Sequence, residues 1–216
     1  MQTASAREQM IEQQVRAWDV LDERVLAIFR RIPRERFVPA EQRYLAFADL
    51  EIPLPKGQHM LRPSVTGRLL QALELTGTQR VLEVGSGSGF LTACLASVSA
   101  YVESVEVFPE LATIAHANLA SLGVGNAQVI TADATALESD ARYEAIAVTA
   151  SLPVEDERFQ RRLAIGGRLF IVVGEPPVMD ARLIRRTSES SWSSQSLFET
   201  VIDPLINARR PPEFSF

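Results

Sequence analysis

The sequence is poor in residue types on which several protein classes depend. Its 216 residues include one cysteine, which excludes an internal disulfide, and we expect no metal site. No run of 18 apolar residues is available to cross a bilayer, and the first residues lack an apolar stretch of signal-peptide length. The sequence therefore predicts a cytoplasmic protein with no membrane association.

Positive charge is also scarce relative to negative charge. The formal net charge is −5 and the pI is near 5.2, so a broad nucleic-acid-binding face is disfavoured and no nucleic-acid partner is expected. Hydrophobic residues make up 46% of the chain. This content and the length predict one compact α/β unit with an appendage, and Cys94 is expected to pack in its core.

The apolar periodicity divides the chain into two parts. Residues 1–56 predict an N-terminal helical subdomain that ends in an extended connector, because the two prolines of LEIPLPK (50–56) exclude a central strand. Residues 57–216 predict a domain of alternating strands and helices. The predicted fold class is α/β, with a Rossmann-like open twisted sheet that is mostly parallel and has an antiparallel C-terminal edge.

Individual elements of this sheet can be predicted from short apolar runs. The strands of the parallel part are predicted over residues 80–85, 101–107, 127–133, 143–150 and 168–174. Helices are predicted over residues 65–75, 91–98, 110–123 and 155–167. The last of these helices would be capped by its two terminal glycines. Two edge strands are predicted over 181–190 and 196–206, joined by a serine-rich turn, and no element is assigned from residue 208 onward.

The stretch VLEVGSGSGF (81–90) is the strongest indication of a ligand. Its three glycines follow an apolar strand and precede a helix, where the backbone turns sharply and free N–H groups face outward. A dinucleotide-binding loop would usually place its third glycine where this chain has Phe90, and it would rarely carry an acid like Glu83 two residues before the first glycine. That carboxylate favours a cationic ligand such as S-adenosylmethionine over a pyrophosphate.

Two further acids follow the next two strands. Glu106 lies about 20 residues after Gly85, a separation suited to accepting hydrogen bonds from both ribose hydroxyls. Asp133 ends the third strand, where it can accept a hydrogen bond from an adenine amino group. Ligands of open α/β sheets bind at the carboxyl ends of the strands, so these acids support an S-adenosylmethionine site. The predicted cofactor-binding residues are Glu83, Gly85, Ser86, Gly87, Ser88, Gly89, Glu106, Val107, Asp133 and Ala134.

With these motifs the chain resembles a class I S-adenosylmethionine-dependent methyltransferase, and its wider pattern resembles the protein-L-isoaspartate O-methyltransferase family. The resemblance extends over about residues 7–206. It is carried by VLAIFRRIPRERFVPA (25–40), AFADLEIPLPKGQ (46–58), Pro63, the glycine loop, AIAVTAS (145–151) and QRRLAIGGRLFIVVG (160–174). The resemblance implies methylation of the α-carboxylate of isoaspartyl residues in a peptide or protein substrate. A carboxylate is already ionised at neutral pH, so this reaction needs positioning rather than a general base.

The segment GQHMLRP (57–63) departs from the usual family pattern, GQTISQP. Aligning the two places His59 at the threonine, Leu61 at the serine that the family assigns to the active site, and Arg62 at the glutamine. Leucine offers no hydrogen-bond donor or acceptor to a carboxylate. The substitution therefore predicts weak or absent isoaspartyl methylation, while cofactor binding is expected to be intact.

Three functions stay open at this point. The chain can be an isoaspartyl methyltransferase in which backbone contacts replace the serine, a methyltransferase with another acceptor, or a non-catalytic S-adenosylmethionine-binding regulator. Arg62 can pair with a carboxylate, and His59 can act as a base toward a hydroxyl or an amine. A surface arginine and a structural histidine are the alternatives. The catalytic candidates are His59, Leu61 and Arg62.

The acceptor side of the site is predicted from the same connector. Met60 and Leu61 are interpreted as a hydrophobic lid over the cofactor. The predicted substrate-binding residues are Gln58, His59, Met60, Leu61, Thr149 and Ala150. The N-terminal helices and the segment 195–206 are expected to close over the adenosine pocket, and the pattern leaves the oligomeric state open.

Overall fold

The computed structural model describes residues 2–137 and 140–210. The N-terminal region is helical, as predicted. It consists of α1 (Gln2–Met10), a π-helical turn (Ile11–Val15), a 3-10 turn (Arg16–Trp18), α2 (Glu23–Arg31) and two further 3-10 turns (Arg34–Arg36 and Ala40–Leu45). The Asp22 side chain caps α2 by accepting from the backbone N–H of Arg24 at 2.9 Å.

The connector after this region is a small hairpin rather than a fully extended segment. Strands β1 (Ile52–Pro53) and β2 (His59–Met60) pair antiparallel around a 3-10 turn at Pro55–Gly57. Helix α3 (Pro63–Leu73) then begins with proline at its first position, where no backbone N–H is required. The predicted helix over 65–75 is thereby confirmed, two residues earlier than expected.

A seven-stranded sheet forms the centre of the molecule. Its strands are β3 (Arg80–Val84), β4 (Tyr101–Glu106), β5 (Ala127–Thr131), β6 (Tyr143–Leu152), β7 (Leu163–Glu175), β8 (Val178–Arg186) and β9 (Trp192–Thr200). The helices between them are α4 (Phe90–Ala96), α5 (Pro109–Ser121) and α6 (Glu157–Arg161). The order β5-β4-β3-β6-β7-β8-β9 is parallel up to β7 and antiparallel beyond it, which confirms the predicted fold class.

The order of the strands determines where a ligand can bind. The chain moves outward from β3 to β4 and β5, then returns to place β6 on the opposite side of β3. Connections on the two sides of β3 therefore diverge, and a crevice opens outside the carboxyl ends of β3 and β6. The glycine loop follows β3 directly, so it lies at this crevice.

The predicted helix over 155–167 is wrong in its second half. Helix α6 is only five residues long, and β7 already begins at Leu163. Gly166 has φ 83°, and a side chain at Gly167 would approach the carbonyl oxygen of Ala164 to 2.8 Å. The two glycines therefore permit a bulge at the start of a strand, where the register between β6 and β7 shifts, and they do not cap a helix.

Apolar residues alternate between the two faces of the sheet, as strand geometry requires. On β3 and β6, Val81 and Ala145 belong to one buried cluster, whereas Leu82 and Ile146 belong to the other. Cys94 is fully buried in the first cluster, which confirms its packing role. Within residues 2–137 and 140–210, no helix is long and apolar enough to span a bilayer. The division of the chain at residue 56 stays a prediction.

Candidate active site

A cavity lies at the carboxyl edge of the sheet, in the crevice beside β3, β4 and β6. Its walls contain most of the residues that the sequence assigned to the site. These are Gln58, His59, Met60, Leu61, Gly85, Ser86, Gly87, Ser88, Glu106, Val107, Asp133, Ala134, Thr149 and Ala150. Glu83, Gly89 and Arg62 are not among the lining residues that the structure describes.

Gly85 sits at the point where β3 turns into the loop. Its φ is 92°, and a Cβ atom there would collide with the hydroxyl of Thr149. That hydroxyl donates to the carbonyl oxygens of Val84 and Gly85, at 2.9 and 3.0 Å. Thr149 therefore links β6 to the loop through hydrogen bonds. Glycine at residue 85 leaves room for this contact because it has no side chain.

Gly89 contributes to packing rather than to the cavity wall. It begins α4 with φ 84°, and a Cβ atom there would lie 3.1 Å from the Cα of Ala115 on α5. The third glycine thus allows the loop to approach a helix closely. Asn118 on α5 strengthens the same contact by donating to the carbonyl oxygen of Ser88 at 2.9 Å.

Glu83 lies beneath the loop, so the structure does not place it against a cationic ligand as the sequence suggested. Its side chain is fully buried and accepts from the hydroxyls of Thr92 and Ser104, both at 2.5 Å. Burial raises the pKa of Glu83 to about 8, against the opposing effect of those two hydrogen bonds. Ser104 in turn contacts the hydroxyl of Ser86 at 2.5 Å, which links the buried carboxyl to the loop.

Glu106 is buried at the end of β4 and connects the loop to the start of α5. Its two carboxylate oxygens accept from the backbone N–H groups of Gly87, at 2.9 Å, and Phe108, at 3.0 Å. Each carboxylate oxygen has capacity for a further hydrogen bond. The pair of oxygens can therefore accept from two neighbouring hydroxyls of a ligand in the cavity.

Asp133 occupies the corresponding position after β5. It accepts from the backbone and hydroxyl of Thr135, at 2.8 and 2.7 Å, and from the amide of Asn207, at 2.8 Å. Burial alone would raise the pKa of Asp133, but the hydrogen bonds from Thr135 and Asn207 outweigh it and the pKa falls below its usual value. Asp133 is thus an ionised acceptor at the cavity wall.

The connector forms the opposite wall and is held by residues distant in sequence. The Nδ1 atom of His59 lies 2.9 Å from a carboxylate oxygen of Asp203. The carbonyl oxygen of Leu61 accepts from the guanidinium of Arg34 at 2.9 Å. Met60 is buried and Leu61 is half-buried at the cavity, so the apolar surface predicted for this wall is present.

Arg62 does not line the cavity, and its side chain lies near an acid that precedes β1. Its Nε lies 3.8 Å from a carboxylate oxygen of Glu51, and its backbone precedes the first turn of α3. Glu51 lines the cavity and is itself half-buried, and burial raises the pKa of its carboxyl. The arginine therefore lies behind an acid of the wall.

Sequence reasoning missed several lining residues. They are Arg34, Glu51, Leu54, Thr66, Val84, Phe90, Leu91, Val105, Phe108, Leu111, Ala132 and the segment from Ile202 to Ile206. The last segment confirms that part of the predicted 195–206 closure reaches the cavity. Its place is fixed by backbone hydrogen bonds between Ser151 and the chain at Asp203 and Leu205, each at 2.8 Å. Phe108 could have been inferred, because it follows Glu106 within two residues.

Known proteins resemble this chain over nearly its whole length. A family model described as protein-L-isoaspartate(D-aspartate) O-methyltransferase matches residues 5–209. Protein-L-isoaspartate O-methyltransferase 1 of Rhodopseudomonas palustris (strain HaA2) is 40% identical over 206 residues, covering 94% of this chain and 84% of the relative. Protein-L-isoaspartate O-methyltransferase 2 of Pelobacter propionicus is 38% identical over 204 residues, covering 94% and 91%.

The fold is also shared with solved structures. A protein-L-isoaspartate O-methyltransferase of Plasmodium falciparum, crystallised in complex with S-adenosyl-L-homocysteine, superposes with a TM-score of 0.79 at 21% identity. The superposition covers 92% of this chain and 97% of that one. At this identity the likeness establishes the common architecture.

Proposed function

The chain belongs to the protein-L-isoaspartate O-methyltransferase family, and from this premise we propose that it transfers the methyl group of S-adenosylmethionine to the α-carboxylate of isoaspartyl residues in proteins. One observation carries the proposal. A single cavity is lined both by the glycine loop with Glu106 and by the connector residues from Gln58 to Leu61. The proposed cofactor elements and acceptor elements thus line the same cavity, as a direct transfer requires.

The lining residues fit the cofactor by their chemistry. Glu106 offers two buried carboxylate oxygens with capacity for the ribose hydroxyls. Asp133 is an ionised acceptor suited to the adenine amino group. At Gly87, a Cβ atom would lie 3.3 Å from Leu54, so the absence of a side chain keeps the space between loop and hairpin open.

The cofactor supplies an electrophilic methyl group on a positively charged sulfur. The residues of the chain position the two partners and exclude water. A carboxylate acceptor is ionised at neutral pH, so no residue has to remove a proton from it. Leu54, Met60 and Leu61 present apolar surface to the cavity, which lowers the water content around the reacting groups.

Leu61 determines how well the acceptor is oriented. Its side chain cannot donate to the carboxylate, while its carbonyl oxygen is held by Arg34. Orientation therefore rests on the backbone of the connector and on neighbouring groups. Weak isoaspartyl turnover stays our prediction for the unmodified protein.

A second candidate function is favoured by the contact between His59 and Asp203. A carboxylate at 2.9 Å from Nδ1 orients the imidazole ring, and both residues line the cavity. A histidine held in this way can take a proton from a hydroxyl or an amine that attacks the methyl group. The second candidate is therefore a methyltransferase of the same fold whose acceptor carries such a proton.

Transfer of labelled methyl groups separates these functions. The purified protein is incubated with labelled S-adenosylmethionine and an isoaspartyl peptide, a matched aspartyl peptide, or a cell extract. The proposal expects label on the isoaspartyl peptide alone of the two, as a methyl ester that alkali removes. Alkali-stable label that appears only in the extract would select the second candidate. Binding of the cofactor without any transfer would select the non-catalytic regulator.

A further inference from the structure

Arg34 carries a buried positive charge that the nearby carboxylate of Asp49 offsets only in part. The residue is 1% exposed. Its Nε donates to the carbonyl oxygen of Ala46 at 3.2 Å, and its Nη2 donates to that of Leu61 at 2.9 Å. The third nitrogen, Nη1, is buried without a hydrogen-bond partner in the described chain. Across residues 2–137 and 140–210, Arg34 forms no ion pair.

The remaining contacts of this guanidinium compensate for burial only in part. Its central carbon lies 4.8 Å from the centre of the Phe90 ring, a favourable cation–π geometry. Burial lowers the pKa of Arg34 to about 10, so the group stays protonated at neutral pH. A buried guanidinium that forms no ion pair is unfavourable, so an anionic ligand group that reaches Nη1 would stabilise it.

The position of Arg34 identifies where such a partner would come from. Arg34 and Phe90 both line the cavity. The other charged residues of the wall are acids, namely Glu51, Glu106, Asp133 and Asp203. Among the lining residues described, Arg34 is the single arginine or lysine, so it is the one place in an acidic cavity that attracts an anionic group.

We propose that the Nη1 of Arg34 is a carboxylate-binding subsite of this cavity, which donates hydrogen bonds to a carboxylate of a bound ligand. The inference rests on the proposed function, because that function brings two carboxylates into the cavity. One belongs to the amino-acid portion of the cofactor, and the other is the α-carboxylate of the isoaspartyl acceptor. Guanidinium groups bind carboxylates through short, directed, charge-assisted hydrogen bonds.

This subsite has a consequence for the connector. The same guanidinium holds the carbonyl oxygen of Leu61, so a carboxylate on Nη1 would lie beside the position where the family pattern has a serine. A ligand bound there fixes Arg34, and Arg34 fixes the connector backbone. Carboxylate binding and the ordering of the acceptor wall are thus coupled through one side chain.

The test compares ligands that differ only in the carboxylate. S-adenosylhomocysteine and its decarboxylated analogue are bound to the unmodified protein in calorimetry. The isoaspartyl peptide and its α-carboxamide analogue are bound in the presence of S-adenosylhomocysteine, so that no turnover occurs. In at least one pair, the carboxylate form should bind about 10-fold to 100-fold more tightly. Equal binding within both pairs overturns the subsite without any mutation.

The variants assign the preference to Arg34. In Arg34→Gln the affinity ratio of the responding pair should fall close to 1, because the positive charge is lost. General damage to the fold would weaken both members of a pair and leave their ratio unchanged. Arg34→Lys keeps the positive charge and replaces Arg34→Gln in the test if the glutamine variant does not fold. It should lower the affinity ratio only partially, because lysine keeps the charge but lacks the planar guanidinium. Arg36→Gln, an exposed neighbour in the same turn, should leave both ratios intact.

Each outcome is informative about one claim. A changed ratio for the cofactor pair places the cofactor carboxylate on Arg34, and a changed ratio for the peptide pair places the acceptor there. Ratios that are unchanged in both Arg34 variants overturn the subsite. Methyl transfer to the isoaspartyl peptide is measured separately, so an intact cofactor preference together with no transfer would remove the proposed function while the subsite stands.

Discussion

The two walls of the cavity are built by different means. On the loop wall, the contacts depend on the conformation of the loop backbone: Gly85 needs a positive φ, and the Glu106 side chain accepts from the backbone N–H groups of Gly87 and Phe108. On the connector wall, the contacts are made by side chains from distant parts of the chain, such as Arg34 and Asp203. The first wall depends on chain geometry, and the second depends on the identity of individual side chains.

Because of this difference, we expect a substitution on the connector wall to affect the acceptor more than the cofactor. A substitution on the loop wall disturbs a backbone conformation that several hydrogen bonds share. A substitution at Leu61 is expected to change the donors offered to an acceptor more than the connector backbone, because Arg34 holds the carbonyl oxygen of this residue and not its side chain. Acceptor preference can therefore vary on the second wall while the first is conserved in shape.

The largest effect on the loop wall is expected for Gly85→Val. A side chain at this residue collides with Thr149 and is strained at φ 92°, so affinity for S-adenosylhomocysteine should fall by about 10³-fold or more. Calorimetry measures the loss. Gly77→Val is the matched control, because Gly77 has φ 97° but open space around it; it carries the backbone strain without the collision. Equal losses in both variants would show that the contact with Thr149 is unimportant.

On the connector wall, Leu61→Ser should raise isoaspartyl methylation by about 10²-fold, because a single well-placed donor commonly contributes this much. Turnover and cofactor affinity are measured in parallel, and the affinity should stay unchanged. Leu61→Ala controls for the loss of bulk without adding a hydroxyl. Efficient methylation by the unmodified protein, with no gain in the serine variant, would show that the serine is dispensable in this scaffold.

Removing the carboxylate in Glu106→Ala should weaken S-adenosylhomocysteine binding by about 1 to 3 kcal/mol, because two backbone N–H groups and the ligand hydroxyls lose their acceptor. Titration calorimetry gives the difference directly. Glu110→Gln is the control, since this exposed acid at the start of α5 pairs with Lys56 outside the cavity wall. A Glu106→Ala variant that binds like the unmodified protein would exclude Glu106 from the site.

The buried carboxyl under the loop predicts a pH effect on stability. Because burial raises the pKa of Glu83 to about 8, the folded state retains a proton that the unfolded state releases near pH 4.5, and stability falls as the pH rises between these values. Glu83→Gln removes this loss, so the free energy of unfolding of the variant, relative to that of the unmodified protein, should rise by roughly 2 to 3 kcal/mol between pH 5 and pH 8. Denaturation at both pH values measures the effect. If the free energies of unfolding of the two proteins change equally between pH 5 and pH 8, the raised pKa of Glu83 is contradicted.

The smallest effect is expected for Asp203→Asn, which weakens the link between the connector and the C-terminal segment. Both partners of this pair are partly exposed, so the contact contributes only about 0.5 kcal/mol. Hydrogen exchange in residues 58–61 should accelerate slightly, while the helices of the N-terminal region stay unaffected. Unchanged exchange in the connector would mean that its position is set by Arg34 and packing alone.

The loop wall could be predicted from the sequence to a larger extent than the connector wall. The parallel sheet, the glycine loop and the acids after β4 and β5 are signalled locally, by periodicity and by spacing along the chain. Arg34 and Asp203 carry no such signal, because their place in the cavity arises from packing between elements far apart in sequence. The burial of Glu83 beneath the loop could not be predicted either, because its hydrogen bonds to Thr92 and Ser104 join separate elements.

The two glycines of β7 show a second limit of prediction from local sequence pattern. Gly166 and Gly167 follow a helical pattern, and a pair of glycines after a helix is a common cap. The same residues also permit a strand to bulge, and the pairing of Tyr143 with Leu163 decides between the two. That pairing joins segments on either side of α6, so local pattern alone does not distinguish a cap from a bulge.

The cavity draws on residues from Arg34 to Ile206, and this span has a consequence for synthesis. The closing segment follows every strand of the sheet along the chain, so its backbone hydrogen bonds to Ser151 form only after β9 has been synthesised. The strands of the sheet all precede that segment along the chain, but the complete cavity requires it. A chain that stops before Ile202 would therefore lack one wall of the site, and stabilisation by a ligand of the cavity would begin only once residues 202–206 are present.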